Sequence, residues 1–152
     1  MLGAQDIHAE GADVTVNLGD IVSGALHPSE TADLLMTIAL PTIRGNHERQ
    51  LLTQPRADQG LSDRWALDHL SADQLAWIEA LPVTLDLQDN VLLVHGTPDS
   101  DLDYFLETVD ENGLRAATPE EVEHRATNAR TELILCGHTH LQRSMKLRDG
   151  DV

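Results

Sequence analysis

Cys136-Gly137-His138-Thr139-His140 closes an apolar run, Leu133-Ile134-Leu135. Two histidines two residues apart in extended backbone project to the same side. The glycine before them permits a sharp turn, so both imidazoles can reach one centre, and the chemistry this allows is metal ligation. Three earlier stretches repeat the layout of an apolar segment ending in a cation-binding residue: Leu18-Gly19-Asp20, Arg44-Gly45-Asn46-His47-Glu48 and Val94-His95-Gly96. Asp20, Asn46, His95, His138 and His140 together offer carboxylate, amide and imidazole donors, a set that suits Mn, Fe, Zn or similar ions. Two such ions about 3.5–4 Å apart would generate hydroxide and clamp a phosphoryl group for in-line attack. Asp20, the one carboxylate of the set, is the natural bridge. Taken singly, each residue has an ordinary structural reading: a turn or cap for Asp20 and Asn46, a surface ring for His47, a hydrogen-bonded strand end for His95. Four strand-end placements with matching chemistry argue for a site. His8, His27, His69 and His124 lack that setting and receive no role.

Strands alternating with helices must carry these residues. Residues 14–18 are β-branched and short, and they deliver Gly19-Asp20 at a strand's carboxyl end, where open α/β sheets hold ligands. Ser29 is placed to cap a helix running to Leu40, with Ala32, Leu35, Met36 and Ala39 on one face. Pro41 stops it. Thr42-Ile43 is a very short strand leading into the Asn46 stretch, and Glu48 opens a helix toward Leu52. Residues 53–62 read as a polar loop. Ser71-Ala72-Asp73-Gln74 is a capping box for a helix ending near Leu81-Pro82. Trp65, Leu67, Leu75 and Ile78 are expected in the core, and Trp77 either there or at the site. Residues 83–87 and Val91–Val94 flank Gln88-Asp89-Asn90, a hairpin signal. Residues 99–109 read either as a short helix over the site or as packing. Thr118-Pro119 starts a helix running to about Ala129. Residues 132–136 and 144–147 are strands. The expected class is α/β (α+β), with an antiparallel part from the hairpin.

A chain of 152 residues, 41% hydrophobic, suits one domain with a real core. Aromatics are only 3%, so aliphatic side chains must fill it. Acidic residues number 26 against 10 basic, a formal charge of −16. That surface repels nucleic acid and anionic membranes unless a local cation overrides it, so neither is an expected partner. Cys136 is the only cysteine and reads as a small buried residue; no internal disulfide is possible. No signal-peptide pattern opens the sequence and no apolar run nears the ~20 residues of a membrane span, so a cytoplasmic location is expected.

The order Gly19-Asp20, Gly45-Asn46-His47-Glu48, His95-Gly96, Gly137-His138-Thr139-His140 resembles the calcineurin-like metallophosphoesterases, most of all their small bacterial phosphodiesterase branch. The resemblance spans residues 14–140. It implies one domain built as a two-sheet β-sandwich flanked by helices, with two divalent metals (Mn, Fe, Zn or Ni). It implies that Asp20 bridges the metals, that Asn46, His95 and His138 complete one site, and that His140 serves the other. It implies that His47 contacts the phosphate and protonates the leaving alkoxide, a role that suits an imidazole titrating near neutrality. The expected function is hydrolysis of a phosphodiester or phosphomonoester by a metal-activated hydroxide. The alternative is a catalytically impaired metal- or phosphate-binding fragment with a regulatory or vestigial role. A single-metal amidohydrolase is a third reading, disfavoured because Gly-Asn-His-Glu fits phosphate chemistry better.

The family pattern opens with a strand ending in Asp-x-His. Asp6-Ile7-His8 spells that motif, but no apolar strand precedes it. Only residues 9–13 separate it from the next strand, where a parallel crossover needs roughly a dozen. The motif is therefore read as fortuitous, with residues 1–11 on a helix, and the family domain is read as incomplete at both ends. One metal site then keeps its ligands, while the other keeps only Asp20 and His140. Apolar edges left by a missing strand would favour self-association. A calorimetric Mn²⁺ titration is expected to show one tight and one distinctly weaker ion; two equally tight ions would contradict this ligand count.

Overall fold

A computed structural model describes residues 7, 9, 11–24, 26–87 and 90–147. Asp6 and His8 lie outside the described residues, as does most of the expected first helix; Ile7 and Ala9 are helical and Gly11 begins a turn. The elements run α1 (Pro28–Ile38), α2 (Asn46–Thr53), α3 (Leu61–His69), α4 (Ala72–Ala80), β1 (Leu85–Leu87), β2 (Val91–Val94), β3 (Glu107–Asp110), β4 (Gly113–Ala116), α5 (Pro119–Arg125) and β5 (Leu133–Cys136). The result is a mixed α/β fold with two small sheets, one ordered β1-β2-β5 and one a β3-β4 pair.

The hairpin expected around residues 88–89 is present: β1 and β2 pair antiparallel, with Leu85 opposite Leu93. β2 pairs parallel with β5, Val91 beside Leu133 and Val94 beside Cys136. Equal register makes both strands end at the same edge, so His95 and Gly137 leave the sheet as neighbours. The Gly137 N–H donates to His95 O at 2.8 Å.

Residues 14–18 and 42–43 do not form regular strands. They meet in a single parallel bridge, Asn17 with Thr42. The Asn17 N–H reaches Pro41 O (2.9 Å) and the Ile43 N–H reaches Asn17 O (3.1 Å). Pro41 has no N–H to extend the ladder, and α2 begins three residues after Ile43. Val14 is 68% exposed, at the frayed end of this pairing. Residues 144–147 are likewise no strand; they run as coil, with Met145 and Leu147 packed on the cluster of Phe105, Ala117 and Val122. Cys136 packs there too, half-buried, and burial together with the Glu107 charge pushes its thiol pKa up.

Helix starts follow local chemistry. His27, not Ser29, occupies the α1 N-cap position, because Pro28 takes the first helical position with φ already set. α1 ends at Ile38 on a left-handed Ala39. Ser71 and Gln74 form the expected capping box, Gln74 N–H to Ser71 Oγ at 3.2 Å and Ser71 N–H to Gln74 Oε1 at 2.9 Å. Gln74 Nε2 also reaches Ser29 Oγ at 3.0 Å, so the serine ties α4 to α1. Thr118 caps α5 as expected, although the helix ends at Arg125, short of Ala129.

Two further stretches bear on the sequence reading. Of the two readings of residues 99–109 the helix is absent: the stretch runs through a turn and bends, with Phe105 buried, into β3, which turns at residues 111–112 into β4. Residues 61–69 form α3, so Leu61 and Ser62, expected at the end of the polar loop, already belong to a helix. Trp65, expected in the core, is 51% exposed and stacks on His69 with ring centroids 3.9 Å apart. Ile78 is fully buried with Ile21, Val22, Ala32, Leu51 and Ala66, and Leu67, Leu75 and Trp77 pack around that cluster. This helical core lies beneath the residues that follow Asp20. Among the described residues no helix is long and apolar enough to cross a membrane. Ile78→Ala is expected to cost about 2–5 kcal/mol in urea unfolding, against roughly 0.5 kcal/mol or less for Trp65→Ala.

Candidate metal centre

Two pairs of chain ends converge. The Asn17–Thr42 bridge sets Gly19-Asp20 beside Gly45-Asn46, and the β2–β5 register sets His95 beside Gly137-His138. The pairs meet where Gly137 passes Leu18; a Cβ on Gly137 would stand 3.2 Å from Leu18 Cβ. The approach within the first pair is closer still. A Cβ on Gly19 would lie 2.4 Å from Gly45 N, and one on Gly45 would lie 2.4 Å from Asp20 Oδ1. Only glycine fits at either position.

Glu48 holds this junction. It is fully buried on the first turn of α2. Its Oε2 accepts the N–H groups of Asp20 (2.8 Å) and Gly45 (2.9 Å), and its Oε1 accepts those of Ile21 (2.7 Å) and Val22 (3.3 Å). One carboxylate therefore satisfies four backbone donors from two loops.

The donor atoms face one another across short gaps. Asp20 Oδ2 is 3.3 Å from His95 Nε2, and Asn46 Oδ1 is 3.0 Å from the same nitrogen. Adjacent ligands on an ion with bonds of about 2.1 Å are separated by about 3 Å. The ligand atoms of Asp20, His95 and His138 all lie within 4.8 Å of one another, close to the roughly 4.2 Å between opposite ligands on such an ion. His140 Nε2 stands 3.7 Å from Asp20 Oδ2 on a side chain that is 76% exposed. All five expected ligands are thus at one rim of the fold, His140 outermost.

Ring orientation fits cation binding. His95 Nδ1 donates to Leu18 O at 2.6 Å, so Nε2 is the nitrogen that faces Asp20 and Asn46: it donates to their oxygens when protonated and would offer its lone pair to a cation that replaces that proton. His138 Nε2 donates to Leu102 O at 3.0 Å, and its buried Nδ1 has no partner. An orphaned buried acceptor carries a desolvation cost that a metal ion would remove. Although residues 99–109 form no helix, they still border the site through this carbonyl and through Tyr104, whose ring centroid lies 5.1 Å from that of His138.

The electrostatics agree. Burial pushes the Asp20 carboxyl pKa up, but the His95 ring and the His47 N–H outweigh it and hold it below the usual carboxylate range. Burial works against a charged His95, yet Asp20 and the Leu18 carbonyl raise its pKa above an ordinary imidazole's. Burial and the neighbouring His95 charge lower that of His138. These directions favour a negative Asp20 and an uncharged His138 ring, the forms that ligate a cation, while at His95 a proton competes with a cation for the ring. Asp20, His138 and His140 also adopt left-handed backbone, with φ of 55°, 65° and 55°. Such conformations are costly for residues other than glycine and concentrate at functional sites.

The sequence profile of the calcineurin-like phosphoesterases matches residues 4–142. The chain belongs to that family. Solved structures similar to this chain include the crystal structure of a metallophosphoesterase from Sphaerobacter thermophilus, 25% identical, with a TM-score of 0.69 over 91% of this chain. The chain spans 54% of that protein's length. A hypothetical protein from Pyrococcus horikoshii shares the fold at 16% identity, with a TM-score of 0.68 over 88% of this chain and 60% of its own. No curated protein gives a match.

Several residues that shape the centre carried no assigned role in the sequence. Glu48 stood inside a motif without a function. The Leu18 and Leu102 carbonyls, which fix two imidazoles, have no side-chain signature. His27 pairs with Glu30 on the surface at 3.6 Å, and His69 Nδ1 bonds Trp65 O at 2.7 Å. Glu48→Gln replaces an acceptor by an amide N–H that faces other donors. It is expected to cost about 3 kcal/mol in chemical unfolding and to weaken Mn²⁺ binding about 10–100-fold.

Proposed function

We propose that the protein is a metal-dependent phosphoesterase acting on a small phosphodiester or phosphomonoester. The convergence of Asp20, Asn46, His95 and His138 donors at one rim supports this reading most directly. Asp20, Asn46, His95 and His138 would hold one divalent ion, and Asp20 with His140 would hold a second, Asp20 bridging. When bound, these ions supply Lewis acidity at the phosphoryl oxygens and a nucleophile drawn from water at neutral pH.

The chain's own groups do the rest. The Leu18 and Leu102 carbonyls orient the two ligand rings. The His47 N–H donates to Asp20 Oδ1 at 3.3 Å, which ties His47 to the centre through its backbone. Its side chain is 38% exposed, open to a substrate at the rim. There it can deliver a proton to the oxygen that leaves phosphorus. The net charge of −16 favours a compact substrate bearing few negative charges over nucleic acid, and we place the protein in the cytoplasm.

The second reading, a metal- or phosphate-binding protein with impaired turnover, draws support from His140. At 76% exposure and 3.7 Å from Asp20 it gives a second ion a weak hold among the described residues. Hydrolysis of bis(4-nitrophenyl) phosphate with Mn²⁺ separates the two. Turnover is expected and is abolished by a chelator; His47→Ala is expected to lower kcat about 10²–10⁴-fold on diphenyl phosphate, whose leaving group needs a proton, and less on the nitrophenyl ester. His95→Ala is expected to lose at least about 10–100-fold in metal affinity. Stoichiometric Mn²⁺ binding with no turnover would favour the second reading.

A further inference from the structure

His47 Nδ1 lies 3.0 Å from Oδ1 of Asp63, sixteen residues later in the chain. Asp63 sits in the first turn of α3, and its side chain is only 5% exposed. A first-turn aspartate commonly offsets its burial by accepting free helix N–H groups. Among the described residues Asp63 accepts none of them; its one side-chain hydrogen bond is to His47. An ionised carboxylate can only accept, so the ring nitrogen facing it carries hydrogen. Nε2 has no hydrogen-bond partner among the described residues. The other end of His47 is fixed by its N–H on Asp20.

We propose that Asp63 is a positioning residue that locks His47 with hydrogen on Nδ1 and presents Nε2 to the leaving oxygen of a bound phosphoester. This rests on the role given to His47 above. As the bond from phosphorus to the leaving oxygen breaks, the proton passes from Nε2 of the imidazolium to that oxygen. The alcohol departs neutral. The ring is left neutral with its hydrogen still on Nδ1, held by Asp63, and Nε2 is reprotonated from solvent before the next turnover. Without Asp63 the neutral ring can take the opposite tautomer or swing away, as happens when a buried aspartate behind a catalytic histidine becomes asparagine.

The first measurement needs no turnover. Long-range ¹⁵N–¹H correlation spectra of the full chain, metal-free and with diamagnetic Mg²⁺, report which His47 nitrogen carries hydrogen. Wild type is expected to show Nδ1–H, and Asp63→Asn and Asp63→Ala a majority of Nε2–H. Nε2–H in wild type, or unchanged Nδ1–H in Asp63→Ala, overturns the proposal. Thermal melts of both variants establish that they are folded. The second measurement compares bis(4-nitrophenyl) phosphate, whose leaving group needs little protonation, with diphenyl phosphate, whose leaving group needs more. Asp63→Asn is expected to lower kcat at least about 10-fold more for diphenyl phosphate, with KM little changed. The double variant with His47→Ala should be no slower than His47→Ala alone. Equal losses on both substrates in Asp63→Asn, beside a leaving-group-dependent loss in His47→Ala, overturn the proposal. A His47→Ala variant without leaving-group dependence overturns instead the proton-delivery role of His47, and the tautomer spectra then still decide what Asp63 does.

Discussion

A carboxylate sealed from solvent holds together the two segments that form one half of the cation-binding rim. Glu48 accepts four backbone N–H groups, three from the loop that carries Asp20 and one from Gly45. Buried N–H groups left unpaired are costly, and these loops pass too close for water to serve them. Elsewhere a sheet ladder would do this work. Here the pairing between the two segments amounts to one bridge, Asn17 with Thr42, so a side chain on the neighbouring helix takes over. The glycines on either side follow from the same constraint, because any Cβ at Gly19 or Gly45 would fill the space across which Glu48 draws the loops together.

The second half of the rim is held differently. β2 and β5 share a full parallel register, so their carboxyl ends deliver His95 and Gly137 without help from a buried ion. The imidazoles are then aimed by main-chain carbonyls, Leu18 for His95 and Leu102 for His138. The first of these carbonyls comes from the opposite half. Moving the Asp20 loop would therefore rotate His95 as well, and the two halves act as one rigid unit.

Much of the ligand set was legible because its chemistry is punctuated. Gly-Asp, Gly-Asn-His-Glu, His-Gly and Gly-His-Thr-His each follow an apolar segment, and all five candidate ligands meet in space. The Ser71 and Thr118 caps were also readable, since a capping box is a local device four residues long. What escaped depends on distance in the chain. Three of the four N–H donors to Glu48 lie 26 to 28 residues away, and Asp63 is drawn to His47 across an intervening loop. Residues 14–18 carry strand propensity but lack a partner able to extend the ladder, and residues 144–147 pack as coil on an apolar cluster. Trp65 is apolar yet faces outward, because the buried side of α3 is given over to Asp63 and Ala66. The β3–β4 hairpin had a signal in Asn112-Gly113, masked by the aromatic run before it.

Asp20, His138 and His140 all hold left-handed backbone. Glycine is the residue that such geometry favours, and glycine has no donor atom to offer a cation. Sequence selection at these three positions is therefore pulled in opposite directions, toward an easier chain trace and toward a functional side chain. Among descendants freed from the need to bind a cation, these are the sites where drift to glycine would leave its earliest trace.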